Sequence, residues 1–146
     1  MTAHDSTLRL YVYDHILRHE QTPSVSEIAK ALKASLRETR AALVRLSESH
    51  AFMLQEDGEL WRAAPFSAVP TPFPVRVGRK SWYGNCIWDA LGIAALLAKD
   101  AEINSTCACC NFAMPLHIRS GKLKEKAGIV HFAVPACRWY EDVVFT

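Results

Sequence analysis

Apolar residues recur at helical spacing through the first third of the chain. Over residues 7–20, Leu10, Tyr13, Ile16 and Leu17 fall at the intervals of one helical face. Pro23 interrupts, and Ser24-Val25-Ser26-Glu27 then forms a capping-box signature, in which a Ser hydroxyl and a Glu carboxylate satisfy first-turn N–H groups. It predicts a short second helix through Leu32. Ser35 and Glu38 repeat the signature, so a third helix should run through Leu43 and Leu46 to about Ser49. The pattern then changes. Phe52 to Trp61 predicts a hairpin turning at Asp57-Gly58. Three helices followed by a hairpin is a winged-helix plan, assigned to residues 1–64.

Pro65, Pro70, Pro72 and Pro74 end this periodicity and predict an extended surface linker over 65–75. The rest, 76–146, reads as a second unit whose first hairpin reaches back into the linker. Phe73–Val77 and Lys80–Tyr83, around Gly78, form that hairpin. Asp89–Ala98 is an apolar run that reads as a buried helix with Gly84 or Asn85 near its cap. Cys86 would then sit in the first turn, with Asp89 three residues on and on the same face. Strands are expected at 101–106 and 113–119, and strongly at 128–134, which is rich in β-branched residues. A short turn or helix follows over 135–142, and a last strand over 143–146. The expected fold is α+β: a winged-helix-like three-helix module with its hairpin, then a small mixed β-sheet packed with a central helix.

Composition narrows the function class. Half of the residues are hydrophobic and 22% are charged, as in a folded domain. The net charge of +2 is split: residues 1–64 carry 8 Lys/Arg against 9 Asp/Glu, and residues 65–146 carry 9 against 6. The module that would bind DNA is therefore net negative, which argues against a nucleic-acid partner. No apolar run is long enough to span a membrane, and no basic-then-apolar leader opens the chain. Five cysteines, three of them crowded at 107–110, do not make a secreted disulfide framework. A cytoplasmic, thiol-rich protein is expected.

Two thiol constellations remain, each with a bland alternative. Cys86 and Asp89 read either as a small buried side chain with a first-turn helix charge, or as a nucleophile beside a proton donor. Cys107 and Cys110 form a Cys-x-x-Cys pair, and Cys137, His117 and His131 are the later candidates for a structural zinc. Their spacing is irregular, and the same cysteines read equally as turn residues with incidental thiols.

The surrounding sequence favours the chemical reading of Cys86. Residues 72–77 (Pro-Phe-Pro-Val-Arg-Val) and 82–93, with Cys86-x-x-Asp89 after an aromatic strand and before an apolar helix, resemble the core of the organomercurial (alkylmercury) lyase family. Ser105-Thr106-Cys107, the segment Val130–Pro135, and Trp139 to Phe145 continue the resemblance, as does the helical module followed by a Pro-containing linker. The resemblance implies that Cys86 binds mercury, that Asp89 donates a proton, and that Cys107 is structural. It implies an alkylmercury lyase acting in mercury resistance and detoxification, with an organomercurial substrate, Hg(II) as bound product and no organic cofactor. Low-molecular-weight thiols would carry the product away. The family's second catalytic cysteine would fall at or just past Thr146, so the chain is expected to be a fragment, or Cys137 or the 107–110 cluster supplies that thiol. The rival is a non-catalytic thiol metal sensor or a winged-helix transcriptional regulator.

The chemistry suits these residue types. Mercury is soft and thiolate is the softest protein ligand. A helix N-terminus is expected to lower the Cys86 pKa. A second thiolate would weaken the carbon–mercury bond, and a carboxylic acid would protonate the departing carbon. An apolar pocket, with Trp82, Tyr83, Trp88 and Phe132 as candidate walls, would raise the Asp89 pKa and admit an alkyl or aryl group.

Overall fold

The computed structural model describes residues 2–107, 109–132 and 134–141. Three helices come first: α1 (Ala3–His19), α2 (Val25–Leu32) and α3 (Leu36–Glu48). Each opens on a complete capping box, Thr2 with Asp5, Ser24 with Glu27, and Ser35 with Glu38. The first of these lies upstream of the expected start, and it moves the buried face of α1 to Asp5, Leu8, Val12 and Ile16. Leu10, expected inside, is 71% exposed. The reason is an ion pair: Asp5 is wholly buried and accepts from Arg45 of α3 at 2.6 Å, which fixes the rotation of α1. Tyr13 and Leu17 stay at the flank of the core.

A three-stranded antiparallel sheet follows, β1 (Met53–Leu54), β2 (Leu60–Ala63) and β3 (Phe66–Ser67), in that spatial order. The β1–β2 turn uses Gly58 at φ +83, a left-handed conformation that suits glycine, and Arg40 of α3 donates to the Asp57 carbonyl at 2.9 Å. The expected surface linker is in part built into the fold. β3 pairs with β2, and Phe66 is buried between the rings of Tyr13 and Trp82. An aromatic residue placed between prolines found an open strand edge and an apolar cleft, and burial outweighed the extended preference of the prolines.

The second sheet contains β4 (Pro74–Val77), β5 (Lys80–Tyr83), β6 (Ala101–Thr106), β7 (Ala113–Arg119) and β8 (Lys122–Leu123), in the order β5-β4-β6-β7-β8. All its pairings are antiparallel, so it is not mixed. Helix α4 (Ile87–Leu97) crosses from β5 to β6, which run in the same direction but are separated by β4. Helix α4 packs on β3, β4 and β6, and its Ala90, Ile93 and Ala94 join Val75, Ile103 and the buried residues of the three helices in one hydrophobic core. The α+β class stands. No described helix is long and apolar enough to cross a membrane.

The strand expected at 128–134 is not formed among the described residues, and Ile129 is 92% exposed. β8 pairs with only Ile118 and Arg119 of β7, so strand-forming composition alone does not bring this segment onto the sheet edge. The segment instead runs over α4, where Phe132 meets Trp88 edge-on at 6.1 Å. A single 3-10 turn, Ala136–Arg138, follows. The expected last strand, 143–146, lies outside the described residues.

Candidate active site

The site is built where the two sheets meet. After β5 the chain reaches Gly84, which bridges to Phe66, donates its N–H to the Phe73 carbonyl at 3.0 Å and accepts from the Thr71 hydroxyl at 2.6 Å. A Cβ on Gly84 would lie 2.6 Å from the Ala90 backbone nitrogen. Only glycine lets the strand end approach the first turn of α4 this closely. Cys86 is then the helix N-cap itself, with extended backbone, and its Sγ accepts from the Asp89 N–H at 3.4 Å. The expectation of a first-turn cysteine capped by Gly84 or Asn85 is corrected accordingly. Sulfur takes the place usually held by a Ser, Thr, Asn or Asp oxygen.

Asp89 lies one turn on, half-buried. Its Oδ2 accepts from Asn85 Nδ2 at 2.9 Å, and the same amide reaches the Pro65 carbonyl at 3.3 Å. Desolvation raises the Asp89 pKa, against the pull of Asn85, Arg62 and the Cys86 thiol. Desolvation also raises the Cys86 pKa, helped by the Asp89 charge and opposed by the Asp89 and Trp88 N–H groups and by Arg62. The helix terminus therefore does not lower the Cys86 pKa as expected, because burial of the sulfur outweighs two backbone donors.

Cys86 and Asp89 face a cavity of about 170 Å³. Trp88, Phe132, Trp139 and Tyr140 supply aromatic wall, while His50 to Met53, Arg62 and Ala64 close it from the helical module and its sheet. Two expected wall residues are elsewhere. Trp82 is buried in the core, its indole N–H on the Ile16 carbonyl at 2.9 Å, and Tyr83 is partly exposed outside the cavity. His50 and Tyr140 stack at 4.0 Å, tying the end of α3 to the segment that covers α4. Arg62 and His50 escaped the sequence reading, and Trp139 and Tyr140 entered it only as part of the resemblance, with no place at the site. They come from distant segments, and no local spacing marks them.

Among the described residues lining this cavity, Cys86 is the one thiol. Cys137 is exposed on the 3-10 turn and lines neither the cavity nor the other thiol cluster. That cluster joins Cys107, Cys109 and Cys110 at the end of the β6–β7 hairpin, with all three sulfurs within 4.8 Å of one another. Cys109 thus stands where Cys137 was expected in the ligand set. His117 is instead paired with Glu125 at 2.6 Å, and this pairing holds the Glu125 pKa down to about 2. Hydrogen bonds from the Cys109 N–H and thiol, and from those of Cys110, lower the Cys107 pKa to about 7.

The geometry places a thiol beside a carboxyl group of raised pKa at an aromatic cavity. The fold is similar to that in the crystal structure of the mercury-bound form of MerB2, with a TM-score of 0.69 at 18% identity over 86% of this chain. The chain spans 60% of the length of that protein. No curated protein matches the sequence. The sequence model of the MerB family, alkylmercury lyase, matches residues 66–146, more than half of the chain and the whole of the Cys86–Asp89 region. The chain belongs to the alkylmercury lyase family.

Proposed function

We propose that this protein cleaves carbon–mercury bonds by protonolysis, with Cys86 as the capturing thiol and Asp89 as the proton donor. The observation that carries the reading is their joint placement: a cysteine N-cap whose sulfur accepts the Asp89 backbone N–H, and the half-buried Asp89 carboxyl group beside it, at one aromatic cavity. In the first step a neutral organomercury species exchanges its labile ligand for the Cys86 sulfur. The thiol proton passes to the Asp89 carboxylate, whose raised pKa favours receiving it. A low-molecular-weight thiolate then adds to the mercury, since Cys86 is the one described thiol at the cavity. The carbon–mercury bond breaks, its electron pair stays on carbon, and Asp89 returns the proton to give the hydrocarbon. Mercury is left between Cys86 and the added thiolate, and a second thiolate displaces it, restoring Cys86.

Arg62 tunes both groups. Its charge favours the Cys86 thiolate and the Asp89 carboxylate, and partial burial lowers its own pKa. Asn85 orients Asp89 through its 2.9 Å hydrogen bond. The aromatic wall provides an apolar surface for an alkyl or aryl group. Two of the three α3 arginines are engaged internally, Arg45 with Asp5 and Arg40 with the Asp57 carbonyl. That gives the DNA-binding alternative no added support. The test is arene release from an arylmercury salt in excess monothiol. Release above a Cys86→Ser control supports the reading, and release equal to that control sinks it.

A further inference from the structure

We infer that Cys107, Cys109 and Cys110 form a second soft-metal site, a three-thiolate cradle for Hg(II) that is separate from Cys86. Their sulfurs all lie within 4.8 Å of one another, and Cys107 Sγ is 3.2 Å from Cys109 Sγ. Zinc, about 2.3 Å from each of three thiolates, needs sulfur–sulfur separations of roughly 3.8–4.0 Å, and the larger Hg(II) ion needs slightly more. The close pair therefore has to open by about 1 Å, a side-chain adjustment on this scale.

The backbone gathers the sulfurs beforehand. Cys107 donates its N–H to the Phe112 carbonyl at 2.8 Å, and the Asn111 N–H returns to the Cys107 carbonyl at 2.8 Å, with Asn111 left-handed at φ +56. The loop is thus closed by main-chain bonds, and metal binding does not have to assemble it from an open chain.

The donor set selects the ion. All three donors are thiols, and no His, Asp, Glu or fourth Cys joins them among the described residues. A structural zinc site normally closes a tetrahedron with four protein ligands. An all-sulfur, three-donor site open to solvent suits a softer ion that is content with three thiolates and can be passed on. Cys109 and Cys110 are exposed, so an incoming metal–thiol complex can reach them. Binding forms three metal–sulfur bonds and releases the three thiol protons to buffer, with no change in oxidation state. The inference stands independently of carbon–mercury cleavage at Cys86.

The test uses the full chain carrying Cys86→Ser and Cys137→Ser, so that only the cradle thiols remain. Hg(II) is added in a large excess of 2-mercaptoethanol, and the protein is desalted and analysed for metal and for thiols open to alkylation. The expected result is one Hg(II) retained per chain, with Cys107, Cys109 and Cys110 all protected and a near-ultraviolet sulfur-to-mercury absorption. Replacing Cys109 by Ser in that background should abolish retention. Loss of all Hg(II) to the monothiol, protection of only two of the thiols, or preferential retention of Zn(II) would overturn the inference. Should the double variant fail to fold, mapping of protected cysteines in the wild-type chain by mass spectrometry decides the same question.

Discussion

The molecule carries two thiol sites of opposite character. Cys86 is a single, half-buried sulfur at a helix cap, and burial raises its pKa in spite of the helix N–H groups around it. Cys107 lies at an open hairpin end among two other thiols, and hydrogen-bond donors bring its pKa down to about 7. Both accept hydrogen bonds, so donors alone do not separate them. Desolvation does. A thiol that is costly to ionise in an apolar cavity suits a neutral ligand that replaces its proton. A solvent-facing cluster suits a charged ion that draws several thiolates together.

The comparison can be broken in several places, the most severe being Cys86, the proposed capture thiol. Cys86→Ser should reduce arene release to the uncatalysed background, measured by chromatography. Asp89→Asn comes next, with release lower by about 10²–10⁴-fold, the usual worth of a general acid. The Cys86–mercury–aryl adduct should still form and be seen by intact mass. Because the Asp89 charge helps to raise the Cys86 pKa, the same variant should shift the midpoint of Cys86 alkylation to lower pH.

Gly84→Ala tests whether the buried cap is what distinguishes Cys86. The new methyl group would meet the Ala90 nitrogen, so α4 must shift, at a cost of about 1–3 kcal/mol read from urea unfolding. With the cap displaced, Cys86 alkylation should move toward that of an ordinary thiol. In the unmodified protein at pH 7, iodoacetamide should label Cys107 about tenfold or more faster than Cys86, since a thiol of ordinary pKa near 8.5 is only a few per cent ionised there. Peptide mass spectrometry gives the order, and equal rates would erase the contrast.

The smallest effect sharpens the rule. Asp5 is fully buried, yet Arg45 beside it holds its carboxyl well below the usual carboxylate range. Burial raises the pKa of an acid only where it outweighs the cation and donors beside it, as at Asp89 and not at Asp5. A depressed folded-state pKa contributes stability above the unfolded value of about 3.9, and that stability is lost as pH falls below it toward the folded value. Acid unfolding of the wild type should therefore be steeper in this range than that of Asp5→Asn, followed by circular dichroism.

Much of the fold was legible because its signals are local. Two capping boxes, the Asp57-Gly58 turn and the Gly78 hairpin depend on neighbours a few residues apart, and each element formed where its sequence pointed. The errors share a different origin. Leu10 was assigned to the core because its spacing fitted, whereas a partner 40 residues away set the helix rotation. Residues 128–134 have strand composition, yet Phe132 packs on Trp88 of α4 instead of joining a sheet. The prolines at 65–75 suggested a linker, yet Phe66 found a buried place.

At the site, the sequence by itself determined that Cys86 and Asp89 lie three residues apart at the start of a helix, whereas the structure made Cys86 the cap whose sulfur meets the Asp89 N–H. The sequence also determined that cysteines crowd near 107–110. Only the tertiary structure decided that Cys109 completes that cluster while Cys137 stays apart, and that His50, Arg62, Trp139 and Tyr140 converge on the cavity. It also reversed the expected ionisation of Cys86. A local motif fixes which donors a sulfur can meet, whereas its desolvation is the sum of what the rest of the chain packs around it, and that sum has no signature in spacing.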